Sequence, residues 1–171
     1  INSGAGKVYI EGQGYTYGSS YSGAINFNLF NGDAGESVTI TSASAAADAI
    51  QIIGEHNVNA SAGWGITFNH DAYISATNGG GVTITASAAG TTGYYDLVSR
   101  EDLHILANSG DITLQGESAG GVLYAIGGYV FIGAQAGSPV NTRSSDITLP
   151  FYRYSYNGSN VNLATTGTVT W

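Results

Sequence analysis

Short apolar alternations, most often with threonine between two apolar residues, recur along the whole chain. They are Val8-Tyr9-Ile10, Ile25-Asn26-Phe27, Val38-Thr39-Ile40, Ile66-Thr67-Phe68, Val82-Thr83-Ile84 and Leu103-His104-Ile105. Ile112-Thr113-Leu114, Val130-Phe131-Ile132, Ile147-Thr148-Leu149, Val161-Asn162-Leu163 and Val169-Thr170-Trp171 follow. Alternation with period two places the outer residues of each phrase on one side of a pleated strand and the middle residue on the other. β-Branched residues suit such half-buried surfaces. Turn formers separate the phrases, as at Asn78-Gly79-Gly80-Gly81, Asn108-Ser109-Gly110-Asp111 and Thr165-Thr166-Gly167. The chain is therefore expected to be all-β, built from many brief strands.

The phrases also share a lead-in of glycine or serine followed by one or two small or acidic residues. It stands at Gly35-Glu36-Ser37-Val38, Gly80-Gly81-Val82, Ser109-Gly110-Asp111-Ile112, Ser144-Ser145-Asp146-Ile147 and Thr166-Gly167-Thr168-Val169. Fixed spacing of such units marks repeat architectures, and a period of about 22 residues relates several of them. Stacked coil on coil, the strands predict a right-handed parallel β-helix (β-solenoid) of roughly seven to eight coils, the hand following from the crossover preference. The alternative is an antiparallel β-sandwich or jelly roll, which needs tight two-residue reversals. Asn31-Gly32, Asn78-Gly79 and Asn157-Gly158 are the only Asn-Gly pairs, and most links are longer.

Two segments interrupt the pattern. Ser42–Ile53 is alanine-rich and reads either as a short helix capped by Ser42 or Ser44, or as a loop followed by a strand over Ala49–Ile53. The second is preferred, because no apolar stripe completes the helix. Tyr94–Leu106 concentrates Asp96, Arg100, Glu101 and Asp102, which predicts a protruding turn with a local Arg–carboxylate pair.

Composition narrows the functional classes. Of 171 residues 9% are charged and 43% hydrophobic, with 26 glycines, so the surface is built from Ser, Thr, Asn, Gly and Tyr. Twelve acids face four basic residues, Lys7, Arg100, Arg143 and Arg153, for a net charge of −8. So few cations make no basic patch for nucleic acid or an anionic membrane. Cysteine is absent, which excludes disulfides and thiolate metal sites. No apolar run approaches the ~20 residues of a membrane helix. The chain starts at Ile1 and holds no methionine, so a single β-solenoid segment over 1–171, part of a much longer protein, is expected.

Chemistry-bearing groups are sparse. Glycoside cleavage needs paired carboxylates. Asp96 with Glu101 and Asp102, and Asp33 with Glu36, are the candidates, each equally readable as a solvated turn. His56, His70 and His104 lack the spacing of a zinc site, and His104 should point outward between Leu103 and Ile105. Gly12-Gln13-Gly14 reads as a turn. No catalytic residue, metal ligand or cofactor is assigned. Twelve tyrosines are more suggestive, with groups at Tyr15, Tyr17 and Tyr21 and at Tyr94-Tyr95. In Phe151-Tyr152-Arg153-Tyr154-Ser155-Tyr156 the aromatic residues alternate. Tyr152, Tyr154 and Tyr156 therefore form the candidate ligand-binding row, a stacking platform for sugar or protein if exposed and outer packing if not. A small ice-binding face is a third reading, from Thr39-Ile40-Thr41, Thr83-Ile84-Thr85 and Thr168-Val169-Thr170.

The repeated Gly-x-Val-Thr-Ile and Ser-Gly-Asp-Ile-Thr-Leu phrases, with the segment Val161–Trp171, resemble the repeat region of filamentous-haemagglutinin-type adhesins, exported by two-partner secretion. The resemblance spans most of the chain. It implies a β-helix shaft, export to the bacterial cell surface, and attachment to a glycan or protein on host or neighbouring cells. The Asn-Pro-Asn motifs of the family's secretion domain are absent, the only prolines being Pro139 and Pro150, so shaft or adhesive region is implied. A structural or adhesive module without catalysis, capable of end-to-end self-association, is the expected function. The alternative is a carbohydrate-binding or polysaccharide-degrading β-helix of the tailspike kind.

Overall fold

The computed structural model describes residues 1–16, 23–27, 36–58, 63–88, 95–116, 122–125, 127–133, 146–149, 153–156, 160–163 and 165–171. Within them every regular element is a strand and every strand pair is parallel. Each strand pairs with the third one after it, so the chain visits three sheets in turn and returns to the first. The sandwich alternative, which requires antiparallel pairs, is thereby set aside, and the protein is a parallel β-helix.

The first sheet stacks β1 (Val8–Thr16), β4 (Ile50–Val58), β7 (Val82–Ala88), β10 (Ile112–Gly116), β13 (Ile147–Thr148) and β16 (Val169–Thr170). The second holds β2 (Gly23–Phe27), β5 (Trp64–Phe68), β8 (Tyr95–Ser99), β11 (Val122–Ala125) and β14 (Arg153–Tyr156). The third holds β3 (Ser37–Ser42), β6 (Asp71–Ala76), β9 (Leu103–Ala107), β12 (Tyr129–Ile132) and β15 (Asn160–Leu163). All eleven alternating phrases fall on strands or run one residue past them. The stretch after Ser42 is a loop, held by the Ser42 and Ser44 hydroxyls accepting the Ser44 and Ala46 amides, and it leads into β4.

Register builds the core. Val8, Ile50, Val82, Ile112 and Ile147 align on the first sheet, Ile66, Leu97 and Leu123 on the second, and Ile74, Ile105 and Ile132 on the third. All are buried and belong to one apolar cluster. Each fully buried Ile, Leu or Phe contributes roughly 1.5–3 kcal/mol, which makes this column the main source of stability.

The period differs from the expected one. A turn of the helix takes 42 residues from Val8 to Ile50, then 32 to Val82, 30 to Ile112, 35 to Ile147 and 22 to Val169. Val82 stands on the first sheet, whereas Val38 and Leu103, which a 22-residue period relates to it, stand on the third. The described residues make at most six levels instead of seven to eight. Loops of variable length at the corners cost little, because only the strands must match their neighbours.

The shared lead-in has a structural reason. Asp111 and Asp146 stand just before β10 and β13, and each carboxylate accepts the amide of the aligned residue one coil on. Asp146 N–H meets Asp111 Oδ1 at 3.3 Å and Thr168 N–H meets Asp146 Oδ1 at 2.7 Å. Asp71 and Asp102 do the same on the third sheet, taking the amides of Asp102 at 3.1 Å and Tyr129 at 2.8 Å. Such bonds satisfy the first donors of each strand before the ladder begins.

Gly12 and Gly14 lie inside β1 and not in a turn, contrary to the sequence reading. A Cβ at Gly14 would stand 2.9 Å from the Ala24 Cα and 2.8 Å from the His56 ring, so the close approach of β2 demands glycine there.

Candidate functional site

The outward row of the third sheet consists of Thr39, Tyr73, His104, Phe131 and Asn162 in direct register. Three of these five are aromatic or heteroaromatic. Because coils in a parallel β-helix are spaced by about 4.8 Å, rings on successive coils stack at the distance aromatic pairs prefer. Tyr73 and His104 have ring centroids 4.6 Å apart and planes 14° apart; His104 and Phe131 repeat this at 4.6 Å and 17°. Tyr129, 46% exposed, tilts against Phe131 at 5.7 Å. Each pair contributes about 0.5–1.5 kcal/mol beyond area burial.

His104 does point outward from its strand as its neighbours predict, yet the two flanking rings leave it only 8% exposed. Asp102 approaches its Nε2 at 3.8 Å. Burial nevertheless depresses the His104 pKa, with Asp102 and Asp71 opposing the shift. Burial, and then the same two carboxylates, raise the Tyr73 phenol. Rings and acids thus share one face. Its second outward row reads Ser37, Asp71, Asp102, Tyr129, and its third Thr41, Ser75, Leu106.

The acidic segment around Asp96 is organised differently from the expected protruding turn. Asp96 lies on β8, fully buried, its Oδ1 accepting the Ala88 amide at 2.8 Å. Arg100 stacks over Trp64 at 5.1 Å, Glu101 reaches toward the buried His70 at 3.4 Å, and Asp102 serves the third sheet. The three carboxylates have separate structural duties, because β8 and β9 belong to different sheets. Asp33, Asn31-Gly32, Asn157-Gly158, Tyr17, Tyr21, Tyr94 and the segment 134–143 lie outside the described residues.

Of the predicted aromatic row, Tyr152 lies outside the described residues, and Tyr154 and Tyr156 stand on β14 in register with Leu123 and Ala125. Leu123 belongs to the buried series Ile66, Leu97, Leu123. Elsewhere on the second sheet Tyr95 stacks on Tyr124 at 4.2 Å. The Thr-x-Thr segments are divided, Thr39 and Thr41 on the third sheet and the other two on the first. Thr83, Thr113, Thr148 and Thr170 do form one outward ladder there, but Gln115 follows Thr85, so the ladder is mostly a single residue wide.

No family model, curated protein or solved structure matches this chain. Among the described residues no group of three or more His, Cys, Asp or Glu side chains is placed to hold a metal ion, and no helix is long and apolar enough to cross a membrane.

Sequence reasoning missed the ring ladder by looking for aromatics that neighbour one another in the chain. The usable signal was an aromatic in the middle of an apolar phrase: Ala72-Tyr73-Ile74, Leu103-His104-Ile105 and Val130-Phe131-Ile132.

Proposed function

We propose that the chain is a structural and adhesive module of a secreted bacterial surface protein, acting by contact and not by catalysis. The observation that carries this reading is the outer face of the third sheet, where Tyr73, His104 and Phe131 stack on a rigid parallel scaffold beside Asp71 and Asp102. A parallel β-helix of this kind makes an extended body whose apolar side chains are spent on the core, leaving its faces for recognition. Aromatic groups beside hydrogen-bonding side chains on such a face suit a glycan or protein on another cell. The resemblance to filamentous-haemagglutinin-type repeats points the same way, and end-to-end association of such segments into fibres belongs to the same proposal.

Beads coated with the chain test it. They are expected to retain host or neighbouring bacterial cells more strongly than beads coated with an unrelated β-solenoid, and equal retention rejects the adhesive role. Release of reducing sugar from any polysaccharide would reject the non-catalytic part.

A carbohydrate-binding β-helix is the second reading, favoured by the same ring ladder. Its polysaccharide-degrading form gains less support, since Asp96 is buried and bonded to a backbone amide.

A further inference from the structure

Inside the ladder Tyr73, His104 and Phe131 cover one another's faces, so only ring edges meet solvent between them. The stack stops on the β3 side. There the residue in register with Tyr73 is Thr39, exposed and too short to cover a phenol ring. Among the described residues, the plane of Tyr73 turned away from His104 therefore borders a step. On either side of that step lie Ser37 with Asp71, and Thr41 with Ser75.

We propose that this step binds one pyranose ring of a neutral glycan; the proposal rests on the adhesive reading above and names its ligand class. A sugar ring has an apolar C–H face that packs on an aromatic plane, and a rim of hydroxyls that both donate and accept. Tyr73 supplies the plane. The hydroxyls of Ser37, Thr39 and Thr41 supply two-way partners at its rim. The Asp71 carboxylate takes the Asp102 amide on Oδ1 at 3.1 Å and still has acceptor capacity for a sugar hydroxyl.

Charge selects against acidic sugars. Asp71 and Asp102 flank the ladder, close enough to Tyr73 to raise its phenol, and Glu101 precedes Asp102. Lys7 is held by Asp48 at 2.6 Å and Arg100 lies over Trp64. A uronate or sialate entering the step would meet like charge.

The test is an NMR titration of the full chain that follows the Tyr73 ring signals. Cellopentaose, maltopentaose and chitopentaose are the neutral probes and pentagalacturonate the acidic one. At least one neutral probe is expected to shift the Tyr73 signals saturably, and the acidic probe to leave them unchanged at the same concentration. Thr39→Tyr extends the stack across the step and should weaken neutral binding about tenfold or more, as should Tyr73→Ala when followed on the Thr39 methyl signal. An unchanged thermal midpoint for Thr39→Tyr separates occlusion from misfolding. Tyr73 signals unmoved by every neutral probe, stronger binding of pentagalacturonate, or full affinity in a folded Thr39→Tyr each overturn the proposal. Coated beads that adhere while no neutral probe shifts Tyr73 reject this site and leave adhesion standing; sugar binding without bead adhesion does the reverse.

Discussion

Tyr73 and His104 lie one coil apart, and their rings stack at 4.6 Å because β6 and β9 pair them as direct neighbours. That contact closes over an imidazole which Phe131 covers from the other side, so a titratable group is held out of water on an outer face of the fold.

A pH dependence follows. Burial lowers the folded-state pKa of both His56 and His104 below the ordinary histidine value of 6.5. The unfolded chain then binds protons more readily, so stability is fully present above that value and is lost as pH falls toward the folded-state pKa values. Asp102 and Asp71 reduce the effect at His104 without reversing it. Urea midpoints should fall between pH 7.5 and pH 5, and His104→Phe, which keeps the stack, should reduce that fall. A midpoint that rises on acidification contradicts the assignment.

Asp102 links two coils through the Tyr129 amide at 2.8 Å. Asp102→Ala leaves that donor without its acceptor and should cost about 1–2 kcal/mol, allowing for the partial exposure of the site. Asp102→Asn keeps an acceptor oxygen and should cost less. Chemical denaturation of the two variants gives the ordering.

Phe68 is fully buried and stacks on Phe27 with centroids 4.9 Å apart and planes 3° apart. Phe68→Ala should destabilise by roughly 3–5 kcal/mol, through lost transfer energy and a cavity in the column. Phe68→Leu keeps most of the volume and should cost markedly less. A loss under 1 kcal/mol for the alanine variant would show that Phe68 is not part of the core.

Gly65 occupies a position where a methyl group would stand 2.6 Å from the Asp96 carbonyl oxygen and 2.8 Å from the Ser87 amide nitrogen. Both are backbone atoms of adjacent coils and have no rotamer by which to retreat. Gly65→Ala should lower the thermal midpoint by several degrees, equivalent to about 1–3 kcal/mol, whereas Gly4→Ala, with open space around the added methyl, should lose only the smaller strain of its positive φ.

Much of the fold was readable from the order of residues, for identifiable reasons. Strand alternation is local, so Val82-Thr83-Ile84 or Leu103-His104-Ile105 declares its inward and outward members without reference to any partner. The preferred loop between Ser42 and Ile50 was also local chemistry, a serine-rich stretch bonding its own amides. Coil length was not readable. The 22 residues from Ile147 to Val169 are a true turn of the helix, but the same interval elsewhere joins strands of different sheets, because corner loops vary freely.

The ring ladder failed to show for the same reason. Tyr73, His104 and Phe131 are far apart in the chain, and only the parallel register of β6, β9 and β12 makes them one surface. Sequence alone determined that this protein is all-β, which residues face inward, and that its surface is poor in cations, since each depends on residue type and immediate neighbours. Tertiary structure alone decided which outward residues touch, that Asp96 is buried, and that Thr39 is the residue in register with Tyr73 at the end of the stack, since register between coils depends on the lengths of loops that leave no periodic mark.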